Sequence, residues 1–145
     1  MTPPLASLYD VSLGIHQLAG LGLILIAVAL TVISVLARNE DGIIEKGLPL
    51  AKIAGPLFGL VLLTGAYQLI DHDVDFFQAW VIGALLLGIG FMGVLHGTWR
   101  PKAEEIAGGE LAGEALSKAK QTAIAVSTSM IIMLIVATYL MENNV

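Results

Sequence analysis

Four long apolar runs divide this chain: Val11–Ala37, Ile53–Ile70, Phe76–Trp99 and Thr122–Met141. Short polar segments separate them. Each run reaches or approaches the roughly 20 residues needed to cross about 30 Å of hydrocarbon. The second is the shortest and extends back to about Leu48. The runs are too long for strands and do not alternate, which leaves no place for a β-barrel. The pattern predicts an all-α polytopic membrane protein, an antiparallel four-helix transmembrane bundle. It forms one membrane domain over residues 1–145, with spans near 11–37, 50–70, 76–99 and 120–141.

Turn and breaker residues refine the boundaries. Pro3 and Pro4 lie in a short polar lead, and Asn39-Glu40-Asp41-Gly42 is a turn-prone cluster. Ile43, Ile44 and Leu48 are expected at the membrane interface. Pro49 and Pro56 are expected near the entry of helix two, where few N–H groups have intrahelical partners. The segment Asp71–Asp75 is so short that helices two and three are expected to be antiparallel neighbours. Phe76, Phe77 and Trp80 mark one interface and Trp99 the other. Pro101 is expected to end helix three, and helix four to start near Leu111. Glu114 precedes Lys118 by four residues, a pairing worth about 0.2–0.5 kcal/mol on a helix. The first run is expected to be a span and not a cleaved signal, because no base precedes it and it is too long for an h-region.

Charge orients this pattern. All seven Lys and Arg residues fall in the first and third connections: Arg38, Lys46, Lys52, Arg100, Lys102, Lys118 and Lys120. The lead, the second connection and the tail have none. Cytoplasmic loops collect Lys and Arg. The expected location is therefore the plasma (inner) membrane, with both termini outside and loops 38–52 and 100–121 in the cytoplasm. The outer segments carry Asp10, Asp71, Asp73, Asp75 and Glu142, which account for the whole net charge of -5. With no basic patch beyond this topological bias, a nucleic-acid partner is not expected.

Composition narrows the chemistry. The chain is 57% hydrophobic and has no cysteine, so thiolate chemistry, disulfides and Cys-based metal sites are excluded. Almost nothing ionisable lies deep in a span, which argues against a proton pump, a voltage sensor or an ion-coupled transporter. Gly83, Gly90 and Gly97 recur every seven residues in helix three. Gly93 with Gly97, Gly55 with Gly59, and Ala123 with Ser127 make small-xxx-small pairs. Such residues let helix backbones approach closely in lipid. They serve either packing within one bundle or a homo- or hetero-oligomer contact.

The polar residues of the spans gather at one level. In helix one, Tyr9, Ser12, His16 and Gly20 share a face, with Gln17 beside them. In helix two, Thr64, Gln68 and His72 share a face, with Tyr67 and Asp71 beside them. Trp80, Gln78, Asp73 and Asp75 lie at the same level. Several readings fit a pocket built from these groups. His16 and His72 would serve as axial ligands of a haem b between facing helices. His16, His72, Asp71 and Asp73, with Asp10, would bind a divalent metal such as zinc or copper. His16, Gln17, Tyr67 and Trp80 would hold a quinone or a lipid headgroup. Alternatively the residues are simply at ease where one end is wet. His96 lies at the opposite level and has no partner histidine there, so a structural role is expected for it.

The stretch Ile15-His16-Gln17-Leu18-Ala19-Gly20, together with Leu63-Thr64-Gly65-Ala66-Tyr67, resembles small bacterial four-span proteins of the copper-resistance-D-like kind. The likeness covers roughly residues 12–100. Where that family commonly has Trp and paired glycines after the first histidine, this chain has Ala19 and Gly20. The resemblance implies His16 as the functional residue. No nucleophile–base constellation, phosphate-binding loop or paired intramembrane carboxylate is present, so an enzyme acting alone is not expected. The leading expectation is a non-enzymatic membrane protein, an accessory subunit or small oligomer. Haem or metal handling through His16 and His72 is the alternative, and a quinone- or lipid-binding subunit a further one.

Overall fold

A computed structural model describes residues 5–37 and 42–143. Pro3, Pro4 and most of the Asn39–Gly42 turn cluster lie outside the described residues. The chain folds as an all-α four-helix bundle. Helix α1 covers Leu5–Leu36, and a short 3-10 turn, Ile44–Lys46, leads into α2, Gly47–Asp71. Helix α3 covers Ala79–Val94, passes through a π-helical turn at Leu95–Trp99, and continues as α4, Arg100–Ala107. Helix α5 covers Gly113–Glu142. Four helical segments are long and apolar enough to cross a membrane: Leu8–Leu36, Ile44–Asp71, Ala79–Ala107 and Gly113–Glu142. Each is 28–30 residues, so at 1.5 Å per residue it exceeds the hydrocarbon thickness by about 12–15 Å. The described lysines and arginines gather at one end of the bundle, the basic end. Asp71, Asp73, Asp75 and Glu142 mark the other, the acidic end.

Two corrections concern helix three. Phe76 and Phe77 precede the helix, in the turn, and Phe77 is 84% exposed. Pro101 does not end the helix. It sits in the first turn of α4, just after the π-helical turn, where the Arg100 N–H donates to the Leu95 carbonyl five residues back. The buried positions explain the extra residue. They run Gly88, Phe91, Leu95, Trp99, Ala103 and Ile106, with three successive steps of four. In an unbroken α-helix each step of four drifts by about 40° off one face. The wider π-turn absorbs that drift, keeps one face on the core and spans the missing proline donor. Pro56 is also deeper than expected. It lies well inside α2, and the carbonyl of exposed Lys52 at the basic end loses its helical donor there.

Helix α1 packs along α2 on one side and α5 on the other, and α3 packs along α5. Despite the short connection, α2 and α3 meet mainly where Phe58 lies against Gly88; a Cβ at Gly88 would be 2.7 Å from Phe58 Cε2. The expected neighbourhood of helices two and three is thus confined to that contact and to the basic end. The α1 core face, Ala19, Leu23, Ala27, Leu30 and Ser34, follows helical spacing, and so does the α5 face that includes Ala123 and Ser127. The glycine repeat serves the α3–α5 seam. A Cβ at Gly83 would lie 3.2 Å from Leu140 Cδ1, and one at Gly90 would lie 3.6 Å from Met133 Sδ. Both partners are also seven residues apart, as an antiparallel seam requires. Gly97 falls inside the π-turn, loses the register and faces open space with Gly93.

The core is concentrated at the basic end. Trp99 is fully buried there, contrary to its expected place at the interface. Its Nε1–H donates to Ser34 Oγ (3.0 Å), which in turn donates to the Leu30 carbonyl (2.6 Å). Gly47 leaves room for the indole: a Cβ would stand 2.7 Å from Trp99 Cη2 and 3.0 Å from Leu30 Cδ2. A buried indole needs a partner for its N–H, and Ser34 supplies one from inside an apolar run. Beyond this knot α2 buries only Gly47, Ala51 and Ala54, and α3 only Gly88 and Phe91. No residue in the acidic-end halves of α2 and α3 is fully buried.

Candidate functional site

The acidic-end half of the α1–α2 seam holds Ser12, His16, Thr64 and Gln68. His16 reaches from α1 to α2, where its Nδ1 lies 3.0 Å from the Val61 carbonyl and 3.0 Å from Thr64 Oγ1. A carbonyl can only accept, so Nδ1 carries the ring proton and donates it. Thr64 Oγ1 gives its own hydrogen to the Leu60 carbonyl (2.5 Å) and has lone pairs left for the imidazole. In the neutral ring Nε2 is then the unprotonated nitrogen, and no described side chain bonds to it. Gly65 makes room for the ring, since a Cβ there would lie 3.1 Å from His16 Cε1. Ser12 Oγ donates to the Thr64 carbonyl at 3.4 Å. Interhelical bonds of this kind contribute about 0.6–2 kcal/mol each in a membrane. One turn toward the acidic end, Gln68 Nε2 is buried without a hydrogen-bond partner.

His72 is engaged elsewhere. It caps α2, its ring tilts against Tyr9 with centroids 4.5 Å apart, and its Nδ1 lies 3.5 Å from Asp71 Oδ2. Tyr9 precedes His16 by seven residues, and His72 follows Gly65 by seven. At 1.5 Å per residue the two histidines sit at levels about 10 Å apart along the helices. Metal–ligand bonds of about 2.0–2.6 Å cannot bridge that offset. Among the described residues, no three His, Asp or Glu side chains converge on a common cation position.

The acids of the α2–α3 connection have conformational tasks. Asp73 has φ 52°, and it closes α2 in a Schellman arrangement: its N–H donates to the Ile70 carbonyl (3.2 Å), and the Val74 N–H to the Leu69 carbonyl (2.8 Å). Asp75 Oδ1 accepts the Phe77 N–H at 2.8 Å in an Asx turn. The contact between Asp71 and His72 is solvent-exposed.

The quinone set is likewise dispersed. Trp80 gives its indole N–H to its neighbour Gln78 (2.6 Å), while Gln17 and Tyr67 are exposed. His96 lies in the π-helical turn toward the basic end, far from the other histidines. The structure therefore brings together Ser12, His16, Thr64 and the Val61 carbonyl, with Gln68 next to them. Sequence reading found the side chains by helical spacing. It missed Val61, which acts through its backbone and carries no side-chain signal. It also missed the Ser34–Trp99 pair. The available coordinating atom is a single imidazole nitrogen, His16 Nε2.

No protein-family model matches the chain, and no curated protein or solved structure is similar enough to count as a match.

Proposed function

We propose that this chain is a non-enzymatic integral membrane protein of the bacterial plasma membrane that works as an accessory subunit or a small oligomer. The observation that carries this reading is the open acidic-end half of α2 and α3. Past Ala54, α2 has no buried residue, and Gly55 and Gly59 face open space. Leu63 is 72% exposed on the same helix. Small residues on an uncovered face permit the close backbone approach that drives helix association in lipid. The distribution of the seven bases supports a topology with both termini outside and loops 38–52 and 100–121 cytoplasmic. The test is the native mass after gentle extraction from the host membrane, combined with cross-linking of a single Cys at Leu63 in this Cys-free chain. A complex of two or more chains is expected, with a cross-link at that position. A single chain in detergent and no cross-link would overturn the reading.

A second reading rests on His16. Its Nδ1–H is committed to α2 and its Nε2 is left free, the arrangement in which a hydrogen bond at one ring nitrogen fixes the tautomer and the aim of the other as a ligand. The likeness of the His16 and Thr64 segments to copper-resistance-D-like proteins supports the same residue. This reading is a one-histidine haem or metal centre, with the remaining ligands from a partner or from the bound group. An absorption spectrum of the natively purified protein tests it. A Soret band lost in His16→Ala and kept in His72→Ala would favour this reading over the first; a featureless visible spectrum would remove the haem version.

A further inference from the structure

At the basic end, one face of α5 forms a shallow hollow of about 380 Å³ lined by Gly113, Leu116, Ser117, Lys120, Gln121 and Ile124. Their spacing of three and four places them in a single lane along the helix. Lys118 sits within 3.5 Å of Glu114, Arg100 within 3.2 Å of Glu104 and Lys102 within 3.3 Å of Glu105. Lys120 makes no ion pair with any described residue, yet it is half-buried where Lys118 is 73% exposed. The aliphatic stem of Lys120 is covered while its ammonium lacks a counter-charge among the described residues, which leaves it open to an anionic ligand. Ser117 and Gln121 add hydrogen-bonding groups on either side of it. Farther along the same lane come Ile124, Thr128, Ile131 and Ile135. The Thr128 hydroxyl is turned back onto the Ile124 carbonyl (2.7 Å), so the lane offers apolar surface toward the middle of the span.

We propose that this lane binds an anionic phospholipid, with the headgroup phosphate at Lys120, Ser117 and Gln121 and an acyl chain along Ile124, Ile131 and Ile135. A soluble phosphate would satisfy the lysine alone. The apolar continuation of the lane into the span selects the lipid. The depth also fits: Lys120 belongs to the basic cluster at the membrane border, where anionic headgroups concentrate and each base contributes to binding. The site is independent of the subunit reading, since it lies at the other end of the bundle from the open α2 face.

Native mass spectrometry of the full chain in nonionic detergent would count bound lipid, using phosphatidylglycerol and phosphatidylcholine with identical acyl chains. Phosphatidylglycerol should be retained in preference. Lys120→Gln should weaken its binding about fivefold, Lys120→Arg should restore it, and Lys118→Gln should leave it unchanged. Ser117→Leu, at an exposed position, should fill the hollow and lower retention even if Lys120→Gln fails to fold. Equal retention of both lipids, an equal loss in Lys118→Gln and Lys120→Gln, or full binding by Ser117→Leu would overturn the proposal. Displacement of phosphatidylglycerol by millimolar inorganic phosphate would show that the lane takes soluble phosphate, and would overturn the lipid assignment.

Discussion

Replacing Gly47 with alanine adds one carbon at a crowded point of the bundle. The new Cβ would stand 2.7 Å from Trp99 Cη2, 3.2 Å from Trp99 Cζ2 and 3.0 Å from Leu30 Cδ2. Carbon atoms pack at about 3.5–4.0 Å, so the ring or the helix must move by most of an ångström. The indole cannot swing aside cheaply. It is fully buried, and its N–H is tied to Ser34, which is tied to Leu30. Overpacking of this kind costs about 1–3 kcal/mol. Alanine also favours helix over glycine by up to about 1 kcal/mol, and less at a helix start such as Gly47. The net expectation is a loss of about 1–2 kcal/mol. Gly88→Ala would create an equally short contact, with Phe58. That ring is only half-buried on the open side of the bundle, so it can yield, and the cost should be smaller.

A double-mutant cycle isolates the clash. Trp99→Phe removes the ring atoms that the added Cβ would strike, at the expense of a cavity and of the bond to Ser34. In that background Gly47→Ala should be neutral or slightly stabilising. The coupling should therefore exceed about 1 kcal/mol, well above the roughly 0.3–0.5 kcal/mol by which independent sites depart from additivity. Unfolding by sodium dodecyl sulfate in mixed micelles, followed by far-ultraviolet circular dichroism, would measure it. An identical cost of Gly47→Ala in the wild-type and Trp99→Phe backgrounds would refute the assignment of Gly47 as the slot for the indole.

Other substitutions probe the remaining contacts. Asp73→Gly should stabilise the fold by about 0.5–1 kcal/mol, because φ 52° is costly for a residue with a Cβ; a lower melting temperature would show that the aspartate has another task. Gly90→Leu should destabilise the α3–α5 seam by about 1–3 kcal/mol in detergent, whereas Gly93→Leu, which faces open space, should not; equal effects would remove the seam as the reason for the repeat. Gly65→Val should displace the His16 ring and reproduce the phenotype of His16→Ala in any ligand assay, and full retention would separate Gly65 from the His16 site. A Cys at Val74 should react with an impermeant label from outside intact cells and one at Gly42 should not, with the reverse pattern overturning the topology.

The four helices were legible because hydropathy alone dictates them: a long apolar run in lipid has no alternative to satisfying its backbone bonds within the helix. The His16 stripe was legible because Ser12 and His16 are four apart on one helix and Thr64 and Gln68 four apart on the next. Three features were not. Trp99 stands beside Arg100 and at a span end, which in sequence is indistinguishable from an interface anchor. Its burial depends on Gly47 and Ser34, which come from two other helices. Pro101 reads as a helix stop, yet the π-turn before it lets the helix continue. The seven-residue glycine repeat was legible as a seam but not as a seam with α5, because the partner spacing of Met133 and Leu140 carries no small-residue signature.

These three features share one cause. Trp99 and the Gly47 slot pull α2 against the α3–α4 helix at the basic end, while Gly83 and Gly90 hold α3 against α5 along the span. Two large rings decide how α2 and α3 relate. Trp99 fills the basic end, and Phe58 props the helices at Gly88 in the middle. Past Phe58 nothing of comparable size bridges them, and Leu60, Leu62 and Leu63 of α2 and Leu85 and Leu86 of α3 remain exposed. The split is therefore written into side-chain volume: large rings where the bundle closes, glycine and outward leucine where it opens. Gly59→Trp would put such a ring on α2 one residue beyond Phe58. If the open face serves association, this variant should keep the monomer fold by circular dichroism and lose the Leu63 cross-link. An unchanged cross-link in a folded Gly59→Trp protein would show that the uncovered face of α2 meets only lipid.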